Sequence, residues 1–183
     1  HLAPCLDSVK RLKRLGEEEF RIFNVGAPQL DNMIGQNFKQ NSIQIDGRDI
    51  DLTKPYILLL QHAVMTERDQ ASKQMLATIH GCLSSGLPVV WIFPNSDPGY
   101  KGILDVIRLK QSSEQIIGVP NVDRDTYLFL LANAACLVGN SSSGLLEAPT
   151  FKVPVINIGD RQRDRPQATN ILNCPHDEVA ISE

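Results

Sequence analysis

Tyr56-Ile-Leu-Leu-Leu60 is apolar at every position. A strand with no polar side must be covered on both faces, which is the situation of a parallel strand between two layers of helices. Further largely apolar stretches of strand length lie at Val89–Phe93, Gln115–Val119, Ala135–Val138 and Val153–Ile158, and Arg21–Val25 reads as a strand ending at Gly26. Amphipathic segments lie between these runs. Leu6 to Leu15 carries Val9, Leu12 and Leu15 at helical spacing, and Pro28 to Ile34 reads as a short helix with Leu30, Met33 and Ile34 inward. Thr66 stands where it could cap a helix whose core face is Ala71, Met75, Ile79 and Cys82. Ile103, Val106 and Ile107 mark a further helix, and Asp123 or Asp125 starts the next. The stretch Gly35 to Lys54 is polar and weakly patterned and reads as a long loop. About six strands alternating with five or six helices predict an α/β fold, a doubly wound parallel sheet of Rossmann-like form. In such sheets ligands sit beyond the carboxyl ends of the strands, so the loops after His62, Phe93, Val119, Val138 and Ile158 are the candidate site loops.

At 183 residues the chain is of single-domain length, and its net charge of −3 argues against a broad nucleic-acid surface. Any nucleotide recognised should be a small ligand. No run approaches the ~18 apolar residues of a membrane span, and no signal peptide is evident at the start. His1 is not an initiator methionine, so the natural protein is expected to extend further on that side. The four cysteines lie far apart without a C-x-x-C pair, which suits free thiols in a reducing cytoplasm rather than a zinc site. Cys82 and Cys136 fall in apolar stretches and read as buried small hydrophobes. Asp49-Ile-Asp51 is too short a motif to indicate a metal, and none is expected.

Gly139-Asn-Ser-Ser-Ser-Gly144 follows an apolar strand and precedes a helix. Backbone N–H groups and serine hydroxyls in such a turn can converge on phosphate oxygens. The turn lacks the Lys and Ser/Thr of a Walker A loop and is not a G-x-S-x-G elbow. Plain capping and turn chemistry would use the same serines, so the turn alone leaves both uses open. Glu147 follows within the next helical turn, where a carboxylate can accept from a ribose diol or simply match the helix dipole. Gly159-Asp-Arg-Gln-Arg-Asp-Arg165 places three arginines in one post-strand loop, suited to an electrostatic clamp. Asn95 lies in a turn-rich strand end, and His62 directly follows a strand, a position suited to an acid/base or a phosphate donor.

Four ordered segments carry a family resemblance: Gln61–Glu67, Pro94–Asp97, Val138–Gly144 with Glu147, and Pro154–Gln162. Together they resemble the UDP-N-acetylglucosamine 2-epimerases, in the hydrolysing branch that feeds sialic-acid-type sugar synthesis. The similarity runs from about Leu15 to Asn173 and is weakest between Gly35 and Lys54. It implies a two-domain glycosyltransferase-B-like fold, of which residues 1–183 match the UDP-binding C-terminal half. The N-terminal domain with the proton-transfer carboxylates, and the closing C-terminal helices, lie outside the match. By position, the resemblance gives Ser141 and Ser142 the diphosphate, Glu147 the ribose hydroxyls, and His62, Asn95 and Arg161 the phosphates. Val122 matches the backbone that reads uracil, and His62 is the candidate catalytic residue. The sequence departs from the family where Ala63 stands for a proline and Asp164 for a glycine.

The reaction implied for a whole enzyme is loss of UDP from UDP-GlcNAc with proton removal at C2, then water addition to release N-acetylmannosamine. No cofactor is implied. The implied partners are a UDP-sugar and the N-terminal domain of the same chain, with no nucleic acid or membrane. Homo-oligomerisation is left open. A glycosyltransferase of the same architecture and a non-catalytic UDP-sugar-binding module remain the alternatives.

Overall fold

The apolar runs become strands whose successive residues face opposite helix layers. In the computed structural model, which describes residues 1–183, the chain divides into two units, His1–Asn37 and Phe38–Glu183.

In the first unit, β1 (Leu2–Ala3) pairs in parallel with β2 (Phe23–Asn24), and α1 (Leu6–Arg14) runs between them in sequence. The strand expected at 21–25 is therefore confined to two residues and lies outside the main sheet. Its first part is consumed by a 3₁₀ turn at Glu19–Arg21, where Ile22 N donates to Glu19 O. Pro28–Met33 is also 3₁₀. At three residues per turn Leu30 and Met33 share a side, so Met33 is buried while Ile34, expected inward, is 75% exposed. Leu2, Leu6, Leu15, Phe20 and Phe23 are also exposed in this unit.

The second unit begins with strand structure. Residues 42–51 form an antiparallel hairpin, β3 (Ser42–Ile45) and β4 (Arg48–Asp51), where a loop is expected. Asp46 and Gly47 both have positive φ, 49° and 76°, as the tight turn joining two such strands requires. Asp49 and Asp51 are thus strand residues, and no group of three or more His, Cys, Asp or Glu is gathered to hold a metal.

Beyond the hairpin the chain builds a six-stranded, wholly parallel sheet from β5 (Ile57–Leu60), β6 (Val89–Ile92), β7 (Ile116–Val119), β8 (Cys136–Gly139), β9 (Val155–Ile158) and β10 (Ile171–Cys174). Its order is β10-β9-β8-β5-β6-β7. The chain starts at the centre, winds outward through β6 and β7, returns to place β8 beside β5, and winds outward the other way. The doubly wound expectation holds, with β10 rather than residues 21–25 as the sixth strand.

One face of the sheet, with Leu59 and Trp91, packs on α2 (Ala71–Ser84) and α3 (Tyr100–Lys110) through Met75, Ile79, Ile103 and Val106. The other, with Leu58, Leu60 and Val90, packs with Leu130 and Leu131 of α4 (Arg124–Asn133). Burying each such side chain contributes about 1.5–3 kcal/mol. Tyr56 donates its hydroxyl to Leu130 O at 2.6 Å. Asp123 caps α4 by accepting from Thr126 N at 2.9 Å. Thr66 is not a cap: Met65–Gln70 is 3₁₀, and α2 begins at Ala71 without a side-chain cap. The remaining helices are α5 (Ser143–Leu146), α6 (Ala148–Phe151) and α7 (Glu178–Ser182).

The four cysteines are free thiols, and burial pushes Cys82 up to about 12, so it is inert packing material. Cys136 is only partly buried. No helix is long and apolar enough to cross a membrane.

Candidate functional site at the sheet switch point

Between β5 and β8 the winding direction reverses, and their carboxyl ends diverge toward opposite faces. This is where doubly wound sheets open a ligand crevice. The last register pair across the junction is Leu60 with Gly139. Gly139 has φ of 138°, and a Cβ there would lie 2.1 Å from Leu60 O. Only glycine lets the two backbones come this close before the chain turns into the seryl loop.

Past the junction the strands are joined by a side chain. Asn140 Oδ1 accepts from His62 N at 2.7 Å, and Asn140 Nδ2 donates to His62 O at 2.9 Å. Arg161 Nη1 and Gln162 Nε2 donate to Asn140 O at 3.1 and 2.8 Å, bringing the arginine loop against the same point. Arg161 also stands 3.8 Å from Asp97.

The structure therefore gathers His62, Arg161 and the turn holding Ser141 and Ser142. Asn95 joins them in an unexpected way. Its backbone N donates to His62 Nδ1 at 3.1 Å, while its side-chain amide donates to Asp97 Oδ2 at 2.8 Å. With Nδ1 accepting, the proton of a neutral His62 ring resides on Nε2. Burial, then the nearby Arg161 charge, push His62 down to about 4 against the opposing pull of Asp97. At neutral pH His62 is thus a neutral N–H donor, not an imidazolium.

In the seryl loop Ser141 Oγ accepts from Ser143 N at 3.3 Å, a local turn bond. Ser142 occupies the N-cap position of α5 but makes no side-chain capping bond. Ser143 is spent internally, its hydroxyl paired with that of Tyr127. Glu147 lies between α5 and α6 and is 8% exposed. Its Oε1 is 3.6 Å from Arg124 Nη1, and its Oε2 is buried without a hydrogen-bond partner. A buried carboxylate oxygen left open costs stability, so a group that brings two hydroxyl donors would find a ready acceptor. Val122 follows β7 and is partly buried against the α4-side core.

Sequence reasoning missed Asn140 and Gln162, each no more than 2% exposed. Asn140 sits inside the motif, where by sequence it is one more turn residue; the available signal is a donor and an acceptor on one short side chain at a switch point. At Asp164, where the resembled family has glycine, φ is 60°. The loop keeps the left-handed turn with aspartate, one of the few side chains that tolerates it.

A second concavity of about 520 Å³ lies along the same edge beyond β9 and β10, lined by Glu67, Asn157, Asp160, Asn173 and His176 among others. Its amides bond one another: Asn157 Nδ2 and Gln167 Nε2 both donate to Asn173 Oδ1. Burial holds His176 below the usual histidine range.

The family described as UDP-N-acetylglucosamine 2-epimerase matches residues 1–183. A UDP-N,N'-diacetylbacillosamine 2-epimerase (hydrolyzing) of Legionella pneumophila is 32% identical over 173 residues, covering 94% of this chain and 46% of that protein. A UDP-N-acetylglucosamine 2-epimerase of Neisseria meningitidis is 30% identical, covering 99% and 48%. The chain thus spans about half the length of the curated relatives it matches. Among solved structures, S. aureus MnaA with UDP superposes with a TM-score of 0.71 at 14% identity, covering all of this chain and 48% of that one. The Methanocaldococcus jannaschii UDP-GlcNAc 2-epimerase in complex with UDP-GlcNAc and UDP gives 0.67 at 18% identity, covering 99% and 51%. The fold is therefore that of half of a two-domain, glycosyltransferase-B-like enzyme. By its match along the whole length, the chain belongs to the UDP-N-acetylglucosamine 2-epimerase family.

Proposed function

We propose that residues 1–183 form the UDP-binding C-terminal half of a hydrolysing 2-epimerase acting on a UDP-2-acetamido sugar. The observation that carries the reading is the buried, unpartnered Oε2 of Glu147, one short helix beyond the seryl turn. Such an oxygen suits a ribose diol, while the turn and Arg161 suit the diphosphate beside it. Ser142 has a hydroxyl free of capping duty, and Ser141 holds only a weak local bond. Val122 fits the uracil end of the same crevice, after β7.

In the whole enzyme UDP leaves from C1 as the C2 proton is removed, giving a 2-acetamidoglucal and UDP. Water then adds across the double bond to give the free 2-epimeric sugar. Negative charge grows on the departing diphosphate, and donors already fixed in place stabilise it without reorganising. His62, as a neutral Nε2–H donor, and Arg161 supply that stabilisation, while the carboxylates that move the C2 proton belong to the other half. The names of the relatives support either a GlcNAc or a 2,4-diacetamido sugar.

Calorimetry of the chain with UDP tests the reading. Half a cleft desolvates one side of the ligand, so the dissociation constant is expected on the order of 0.1–1 mM. UDP-GlcNAc should bind but not turn over. Absence of UDP binding at concentrations about tenfold above that range would refute the nucleotide assignment, and turnover by the chain alone would refute the division of labour.

A further inference from the structure

We propose that Asn140 is a positioning residue: its paired hydrogen bonds to the backbone of His62 lock the imidazole after β5 to the anion turn after β8 and hold His62 as an Nε2–H donor. The inference deepens the nucleotide reading and rests on it for its consequence in turnover, although the geometry itself needs no ligand.

The need arises from the topology. Up to Leu60 and Gly139 the two strands satisfy each other by register pairing. Beyond that pair they part, and the N–H and C=O of His62 lose their ladder partners at a half-buried position where leaving them open would be costly. A single side chain replaces the ladder. Asn140 accepts from His62 N at 2.7 Å and donates to His62 O at 2.9 Å. Only a carboxamide carries a donor and an acceptor side by side in this way, and asparagine is the shorter of the two that do. The pairing also fixes which amide atom is which, since the His62 N–H must meet oxygen.

Asn140 is itself held from behind. It is 1% exposed, so water cannot substitute for its contacts. Its backbone carbonyl oxygen accepts from Arg161 Nη1 and Gln162 Nε2, and Gln162 Oε1 in turn accepts from Arg165 Nη1 at 2.8 Å. Three loops after β5, β8 and β9 are thereby joined at one residue. With the His62 backbone fixed, its Nδ1 reaches the Asn95 N–H at 3.1 Å from the loop after β6. That bond decides the tautomer. It also disfavours a proton on Nδ1, in the same direction as the burial and the Arg161 charge that push His62 down to about 4; Asp97 is the charge that opposes them. Released from Asn140, the His62 backbone would drift from Asn95, and either ring nitrogen could carry the proton.

The experiment is long-range ¹H–¹⁵N spectroscopy of the histidine rings in the 183-residue chain, which has four histidines, assigned with His62→Asn. Wild-type His62 should show the Nε2–H pattern at pH 7 and resist protonation far below the usual range. Asn140→Ala should give mixed tautomers and raise the His62 titration midpoint by at least about one pH unit, a tenfold change in proton affinity. Gln162→Leu keeps the Asn140 side chain, removing one of the two donors to its carbonyl along with the acceptor for Arg165, so it should move the same signals less; it also serves if Asn140→Ala does not fold. Unchanged His62 tautomer and titration in every folded variant would overturn the proposal. UDP is titrated into the same samples. A wild-type chain that ignores UDP but shifts its His62 signals on losing Asn140 refutes the nucleotide reading and upholds the clamp.

Discussion

Replacing Glu147 by glutamine should weaken UDP binding while leaving the fold as stable as before or slightly more so. The two signs come from one geometry. Glu147 is 8% exposed, its Oε1 is 3.6 Å from Arg124, too long for a strong charged hydrogen bond, and its Oε2 has no hydrogen-bond partner. The unliganded chain therefore bears the desolvation of a carboxylate with little return. Glutamine removes that cost and forfeits a weak ion pair, so the net change should stay within about 1 kcal/mol, or about 2–4 °C in melting temperature for a chain of this size. In the complex the carboxylate would accept from the ribose diol, and losing a charged acceptor costs roughly 1.5–3 kcal/mol, a fall in affinity of about 10–150-fold. Inorganic pyrophosphate, which has no ribose, should bind both forms alike. Calorimetry with both ligands, alongside thermal melting, separates the outcomes. Equal losses for UDP and pyrophosphate, or a melting temperature lower by more than about 8 °C, would make Glu147 a structural residue and refute the reasoning.

Three further outcomes are expected. Ser142→Ala should lower UDP affinity by about tenfold with little change in melting, because its hydroxyl makes no cap bond; an unchanged constant for the Ser141/Ser142 double alanine variant would return the turn to a purely local role. Folded His62 accepts a proton only near pH 4, whereas the unfolded chain accepts one near 6.5, so stability should fall as pH drops through that window. His62→Asn should make the decline shallower, the depressed His176 supplying part of what remains, and identical pH–stability curves would count against a buried neutral imidazole. Gly139→Ala should lower the melting temperature by more than about 10 °C, since its Cβ would meet Leu60 O at 2.1 Å; a near-wild-type melt would mean the two strand ends part without cost.

What the sequence made legible follows burial on both faces. The runs at 57–60 and 89–92 are buried at every residue, so no surface pressure disguises them with polar alternation. Ile171–Cys174 escaped because it is an edge strand with two of its four residues exposed, leaving no run to see. The hairpin at 42–51 escaped for a different reason: its signal was present, Asp46-Gly47 between Ile43, Ile45 and Ile50, but a parallel α/β frame gives no cause to look for an antiparallel pair. At the site, the loops were legible because strand ends locate them. The partners were not. Nothing in the spacing of His62 and Asn95 says that the backbone of one meets the ring of the other, and the Asn95 amide, expected on phosphate, bonds Asp97.

The tautomer of His62 changes what the residue can do in the proposed reaction. An imidazolium could donate a proton to the departing UDP, and its loss would make turnover fall as pH rises through the histidine range. A neutral ring held by Asn95 N can only lend its Nε2–H as a hydrogen bond, and such a donor is indifferent to pH between about 5 and 8. UDP is itself a stable leaving group near neutrality, so fixed donors suffice and a proton is not required at the bridging oxygen. Asparagine, which also offers a neutral N–H, should then recover part of the activity that alanine loses in an enzyme carrying both halves. Recovery by asparagine together with a turnover profile flat across neutrality would identify donation as the role. A profile falling with a midpoint near 6.5, with no recovery by asparagine, would show that ligand binding raises the His62 pKa and makes it an acid, and stabilisation of the leaving group by a neutral donor would be refuted.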